Sequence, residues 1–131
     1  MAGNTEGFDM NGTELIAAER KRQIDVEGWT AEHDSHHSVL QLSAAAAAYV
    51  MAEGPDAVMP QGWPWDAKSW KPKDRERNLV RAGALYLAAA DRSDGIDKRA
   101  GRKLNMDGWL PRAHADICAM MIDLLATKDI K

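Results

Sequence analysis

Apolar positions recur along this chain at the spacing of helices rather than strands. At 100° per residue, Leu15, Ile16 and Val26 fall in one sector of a first helix. Asn11 and Glu14 form a capping pair able to open that helix, and Gly28 is placed to stop it after about Glu27. Glu19 and Gln23 project into the same sector, so a carboxylate and an amide are expected on the apolar face, where each needs a partner or a ligand. A second helix is expected from about Ser38 to Glu53, closed by Gly54-Pro55. Its five successive alanines, Ala44 to Ala48, let neighbouring helices approach closely, which predicts a central place for it.

The third helix is predicted from Lys73 or Asp74 to Asp91. Leu79, Val80, Gly83, Tyr86, Leu87 and Ala90 form its broad apolar face, while Arg77 and Arg81, one turn apart, lie together on another side. Pro111 suits the first position of a C-terminal helix over 111–127, with Ile117, Met120, Met121, Leu124 and Leu125 as its core stripe. No segment alternates with a period of two, and no internal repeat occurs. The expected fold is therefore all-α: one compact, four-helix bundle-like domain over 1–131 with a long Trp/Pro-rich loop. Residues 1–10 are expected to be flexible, 54–72 to form the loop, and 93–110 to be a polar connection with Asp94-Gly95 and Asp107-Gly108 as turns.

Composition narrows the class. Apolar residues make up 45% and charged residues 28% of the 131, as in a soluble globular domain rather than a disordered one. The longest apolar run, Ala44 to Ala52, is far shorter than the ~20 residues of a membrane span. No basic start with an apolar stretch marks an export signal. The single Cys118 excludes an internal disulfide and a cysteine-based zinc site, and its apolar helical setting marks it as a small core residue.

Charge is unevenly spread. Residues 1–56 hold ten acids and three bases, net −7, and 57–131 hold ten acids and fourteen bases, net +4. Six bases lie between Lys68 and Arg81, against Asp74 and Glu76, making this the natural place for an anionic ligand. An overall acidic chain is a poor binder of long duplex nucleic acid, so no sequence-specific nucleic-acid contact is expected.

Two clusters could carry chemistry. Glu32-His33-Asp34-Ser35-His36-His37 brings together carboxylates and imidazoles suited to a divalent transition metal, with His33 and His37 four apart. Acidic and histidine-rich turns are also common on surfaces and at helix N-termini, where Asp34 or Ser35 caps the next helix, and no third and fourth metal ligand are identified. The candidate metal ligands are Glu32, His33, Asp34 and His37, with Asp91 of the third helix. The second cluster is Trp63, Trp65 and Trp70 followed by Lys71, Arg77 and Arg81. Indoles can stack on a base and the cations can hold phosphate, although three indoles in a loop also serve as a lid over a bundle. With Glu19, Gln23, Trp29 and His33, these residues make up the candidate ligand-binding set. No phosphate-cradling glycine loop and no nucleophile elbow occurs, and no residue is assigned a catalytic role.

Glu19-Arg20-Lys21-Arg22-Gln23, Gly28-Trp29 and Glu32-His33-Asp34, followed by an alanine-rich helix, Trp63-Pro64-Trp65 and Lys71-Pro72-Lys73-Asp74-Arg75 with Leu79-Val80-Arg81-Ala82-Gly83-Ala84-Leu85, resemble a recurring pattern in small bacteriophage and prophage proteins of unassigned function. The likeness covers about residues 14–92. More distantly, the chain is similar to MazG-like all-α nucleoside triphosphate pyrophosphohydrolases. That resemblance implies a helical nucleotide pocket and Mg²⁺-dependent hydrolysis in the cytoplasm of an infected bacterium. The family's Glu-Glu-x-x-Glu motif does not occur. Gln41-Leu42-Ser43-Ala44-Ala45 stands in its place, and of the family's second motif only Asp91 is kept.

Three functions follow as expectations. The first is a binding protein that captures a nucleotide or nucleotide-derived signal, as a counter-defence device, with no cofactor. The second is a protein-binding inhibitor that engages a host factor through the acidic N-terminal half. The third is a divergent metal-dependent hydrolase built on Glu19, His33, Asp34 and Asp91. A homo-oligomer is compatible with all three.

Overall fold

The computed structural model describes residues 10–26, 38–99 and 106–129, among which there are four long helices and no strand. They are α1 (Gly12–Asp25), α2 (Val39–Met51), α3 (Arg75–Arg99) and α4 (Met106–Asp129), with a 3-10 turn at Ala67–Ser69. The all-α expectation is met by four interacting helices. Residues 1–9 of the expected flexible segment 1–10, and the Glu32–His37 cluster, lie outside the described residues.

Helix starts follow the side chains available. Asn11 caps α1, its side chain accepting the Glu14 N–H while Glu14 accepts from the Asn11 N–H, each at 2.9 Å. Ser38 and Gln41 form the same reciprocal box at the start of α2. The end of α2 is tied down by α3: Arg75 donates to the carbonyls of Val50 and Ala52. Buried Asn78 donates to the Ala52 and Lys73 carbonyls at 3.0 and 2.7 Å, and its oxygen accepts the Lys73 N–H at 2.6 Å. One side chain thus satisfies three backbone groups of a turning chain.

The layout departs from expectation in four places. α3 rather than α2 is central, since it packs against α1, α2 and α4. Its buried Ala82, Ala84, Ala88, Ala89 and Ala90 supply the smooth surface expected of the alanine run on α2. α2 sits at one side, with Leu40 and Met51 exposed. α3 continues to Arg99 and α4 begins at Met106, so most of the expected 93–110 connection is helical. Pro111 lies inside α4, not at its first position. Val26, placed by periodicity in the apolar sector of α1, falls at the helix end and is exposed.

The α4 core stripe is the largest correction. Met121 and Leu125 pack against the core as expected, but Ile117, Met120 and Leu124 are exposed, and Ala115, Cys118, Ala119 and Ile122 make up the buried part of the face. Small residues win that face because α1 and α3 come close. A Cβ on Gly12 would lie 2.2 Å from the carbonyl oxygen of Ala119, and one on Gly83 would lie 2.3 Å from Cδ1 of Ile16. Cys118 is the buried core thiol expected, and burial pushes it up to about 11.

Candidate functional site

Glu19 and Gln23 face inward from α1, as their helical position predicts, and both are buried. Arg22, one turn along, grips the Glu19 carboxylate with both arms: Nε to Oε1 at 2.9 Å and a terminal nitrogen to Oε2 at 2.8 Å. Gln23 donates from Nε2 to the same carboxylate at 3.4 Å, which fixes its amide with Oε1 pointing elsewhere. That oxygen is buried and has no hydrogen-bond partner among the described residues.

Arg77 and Arg81 of α3 act on Glu19 through space. Burial alone would push the carboxyl up. The hydrogen bonds and charge of Arg22, reinforced by Arg77 and Arg81, outweigh it and hold Glu19 below its usual 4.5. One carboxylate therefore stands among three guanidinium groups. Charge alone makes this a place for an anion.

Arg81 joins this cluster to the aromatic loop. Its guanidinium lies 5.3 Å from the centre of the Tyr49 ring and donates to the Lys71 carbonyl at 3.0 Å and to the Tyr49 hydroxyl at 3.4 Å. Tyr49 stacks on Trp70 at 4.8 Å between centroids and meets Trp63 edge-on at 5.6 Å. Trp63 in turn meets Trp65 and Trp70 edge-on. Trp63 Nε1 donates to the Asp66 carbonyl and the Ser69 hydroxyl, and Trp70 Nε1 to the Ala57 carbonyl. Of the two roles open to these indoles, the structure shows packing: Trp63 is buried and Trp65 and Trp70 are half-buried against the core. Lys71 contributes its backbone, its N–H reaching the Tyr49 hydroxyl at 3.3 Å, while the residue is exposed.

The remaining candidates divide. Trp29, Glu32, His33, Asp34 and His37 lie outside the described residues. Asp91 is paired with Arg20, whose Nε and terminal nitrogen reach Oδ2 at 3.3 and 3.0 Å. Among the described residues no group of three His, Cys, Asp or Glu side chains is placed to hold a metal ion.

Three residues of the cluster were not singled out from sequence. Arg22 carried a readable signal, the three-residue spacing from Glu19. Arg20 and Tyr49 carried none, because their partners are 71 and 32 residues away.

A separate open cleft of about 570 Å³ lies at the end of α2, walled by Met51, Pro55, Val58, Pro60 and Trp70. Glu53 and Asp56 are its charged lining, with no Lys or Arg, so it is not suited to phosphate. The chain matches no protein-family model, no curated protein and no solved structure.

Proposed function

We propose that this protein binds a nucleotide or a nucleotide-derived signal without turning it over, as a bacteriophage protein that sequesters a defence signal in the host cytoplasm. The observation that carries this reading is the grouping of Arg22, Arg77 and Arg81 around Glu19, the one buried carboxylate among the described residues. The surplus positive charge suits a phosphate. The unpartnered Gln23 Oε1 beside it suits an N–H donor, such as a base or an amide-bearing ring provides. Free phosphate offers only the first of these features, and a nucleotide offers both. No described helix is long and apolar enough to cross a membrane, which agrees with a ligand met in solution.

A panel of mono-, di- and cyclic nucleotides tests this by thermal shift, with recovery of the ligand checked by mass spectrometry. The expected result is a raised Tm for at least one nucleotide, chemically unchanged after release, and loss of that shift in Arg77→Ala. Arg77 is exposed, so this variant should keep its fold. A panel with no shift ends the proposal. Turnover that stops in chelator would instead favour the hydrolase.

A second reading has its own support. The cleft at the end of α2, with an apolar floor and an acidic rim, suits a host protein rather than a nucleotide. A host protein that co-purifies through Val58, irrespective of nucleotide, would favour inhibition of that factor.

A further inference from the structure

We propose that the outer face of α4 is the interface of a parallel homodimer. Leu110, Ile117, Met120 and Leu124 are 48, 50, 63 and 63% exposed, on the side of the helix opposite Ala115, Cys118 and Ile122. Their spacings are seven, three and four, and Ala113 fills the intervening place. These are the a and d positions of a heptad seam, the pattern by which one helix packs into the grooves of another. An ordinary surface helix carries apolar residues only on its inner face. α4 carries two such faces, and among the described residues only the one with Ala115, Cys118, Ala119 and Ile122 is covered.

The heptad spacing matches the seam to a second copy of itself, and charge on its flanks selects the direction. Asp116 and Asp123, seven apart, border the seam on one side, and His114 and Met121 border it on the other. Asp123 also accepts the Gly12 N–H at 2.7 Å, which fixes its carboxylate on the α1 side of the helix. With two copies aligned in parallel, Asp116 of one lies beside Met121 of the other, and like charges do not meet. Reversing one copy to pair a with d positions sets Asp116 against Asp123 of the second copy, twice by symmetry, which is repulsive. The seam from Leu110 to Leu124 is about 21 Å long. Its apolar patch is on the order of a few hundred Å², so two copies together bury several hundred Å², in the range of weak, transient contacts below about 1,200 Å². The dimer should therefore be reversible and concentration-dependent.

Sedimentation velocity over a hundredfold range of protein concentration tests the association. The native chain should shift from monomer to dimer, while Ile117→Glu and Met120→Glu should each stay monomeric with unchanged helical circular dichroism. A chain that is monomeric throughout, or a dimer that survives both substitutions, overturns the interface. Direction is read by oxidation of Leu110→Cys. Parallel copies bring the two introduced thiols within disulfide reach, whereas antiparallel copies hold them at opposite ends of the seam. The native Cys118 is buried and should not compete. A dimer in which Leu110→Cys fails to cross-link but an equimolar mixture of Ala113→Cys and Leu124→Cys does so overturns the parallel arrangement.

Discussion

Glu19 is a buried carboxylate held ionised by its neighbours, and this ties folding to acidity. Its folded pKa lies below the unfolded value, so its contribution is fully present at neutral pH and is lost as pH falls through the folded pKa, below about 4.5. Replacing it with glutamine removes the charge partner of Arg22, whose own side chain is 40% exposed. Solvent screening on that side limits the cost at pH 7 to about 1 kcal/mol. Urea titrations of the native chain and Glu19→Gln at a series of pH values should show the gap between them closing as pH falls from 6 towards 3. A gap that stays constant, or widens in acid, would mean that the carboxylate is not held by the three arginines. Position on the helix was enough to place Glu19 and Gln23 inward from sequence. The guanidinium groups that keep Glu19 charged were legible only where they lay one turn away.

Between elements, α1 crosses α4 at close approach. Gly12 abuts the backbone of Ala119, and its N–H donates to Asp123 at 2.7 Å. Where α1 crosses α3, a Cβ on Gly83 would meet side-chain atoms of Ile16 rather than backbone, at Cδ1, Cγ1 and Cγ2. Alanine at Gly83, inside α3, gains helix propensity of about 1 kcal/mol over glycine, whereas Gly12 opens α1 and gains less, and the two clashes also differ in kind. A carbonyl fixed in a helix cannot swing aside, so Gly12→Ala should lose about 1–2 kcal/mol net through a shift of the whole helix. Gly83→Ala should lose less, and Ile16→Val should recover part of that loss in the double variant while doing nothing for Gly12→Ala. Denaturation midpoints of the five chains decide it. A Gly12→Ala chain as stable as the native one would refute the close approach. The start of α1 was legible in the sequence, because Asn11 and Glu14 are local signals. The crossing points were not, since nothing about a glycine in sequence names the residue 107 positions away. The start of α4 was misread for a related reason: Pro111 fits a first turn, yet a helix can run through it at the loss of one hydrogen bond.

At the scale of the molecule, α3 is the hub, and stability should be distributed accordingly. It is the helix that packs on all three others, and nearly every side chain from Asn78 to Ala90 is buried or half-buried. α2 leans mainly on α3 and on the aromatic cluster, with Leu40 and Met51 in solvent. The alanine run on α2 pointed to a central helix because small side chains allow close approach. They permit it without requiring it, and α3 holds as many buried alanines alongside Leu79, Leu85 and Tyr86. Amide exchange should therefore follow two levels. Amides from Val80 to Ala90 should exchange only through global unfolding, with the full free energy and its full denaturant dependence. Amides of the first turns of α2, up to about Ala45, should open at a lower free energy with a smaller slope, since that end lacks the ties that Arg75 and Asn78 give the other. Equal protection on both helices would mean that α2 is not at an edge. Lower protection on α3 than on α2 would remove it as the hub, and with it the rigid base on which Arg77 and Arg81 are held opposite Glu19.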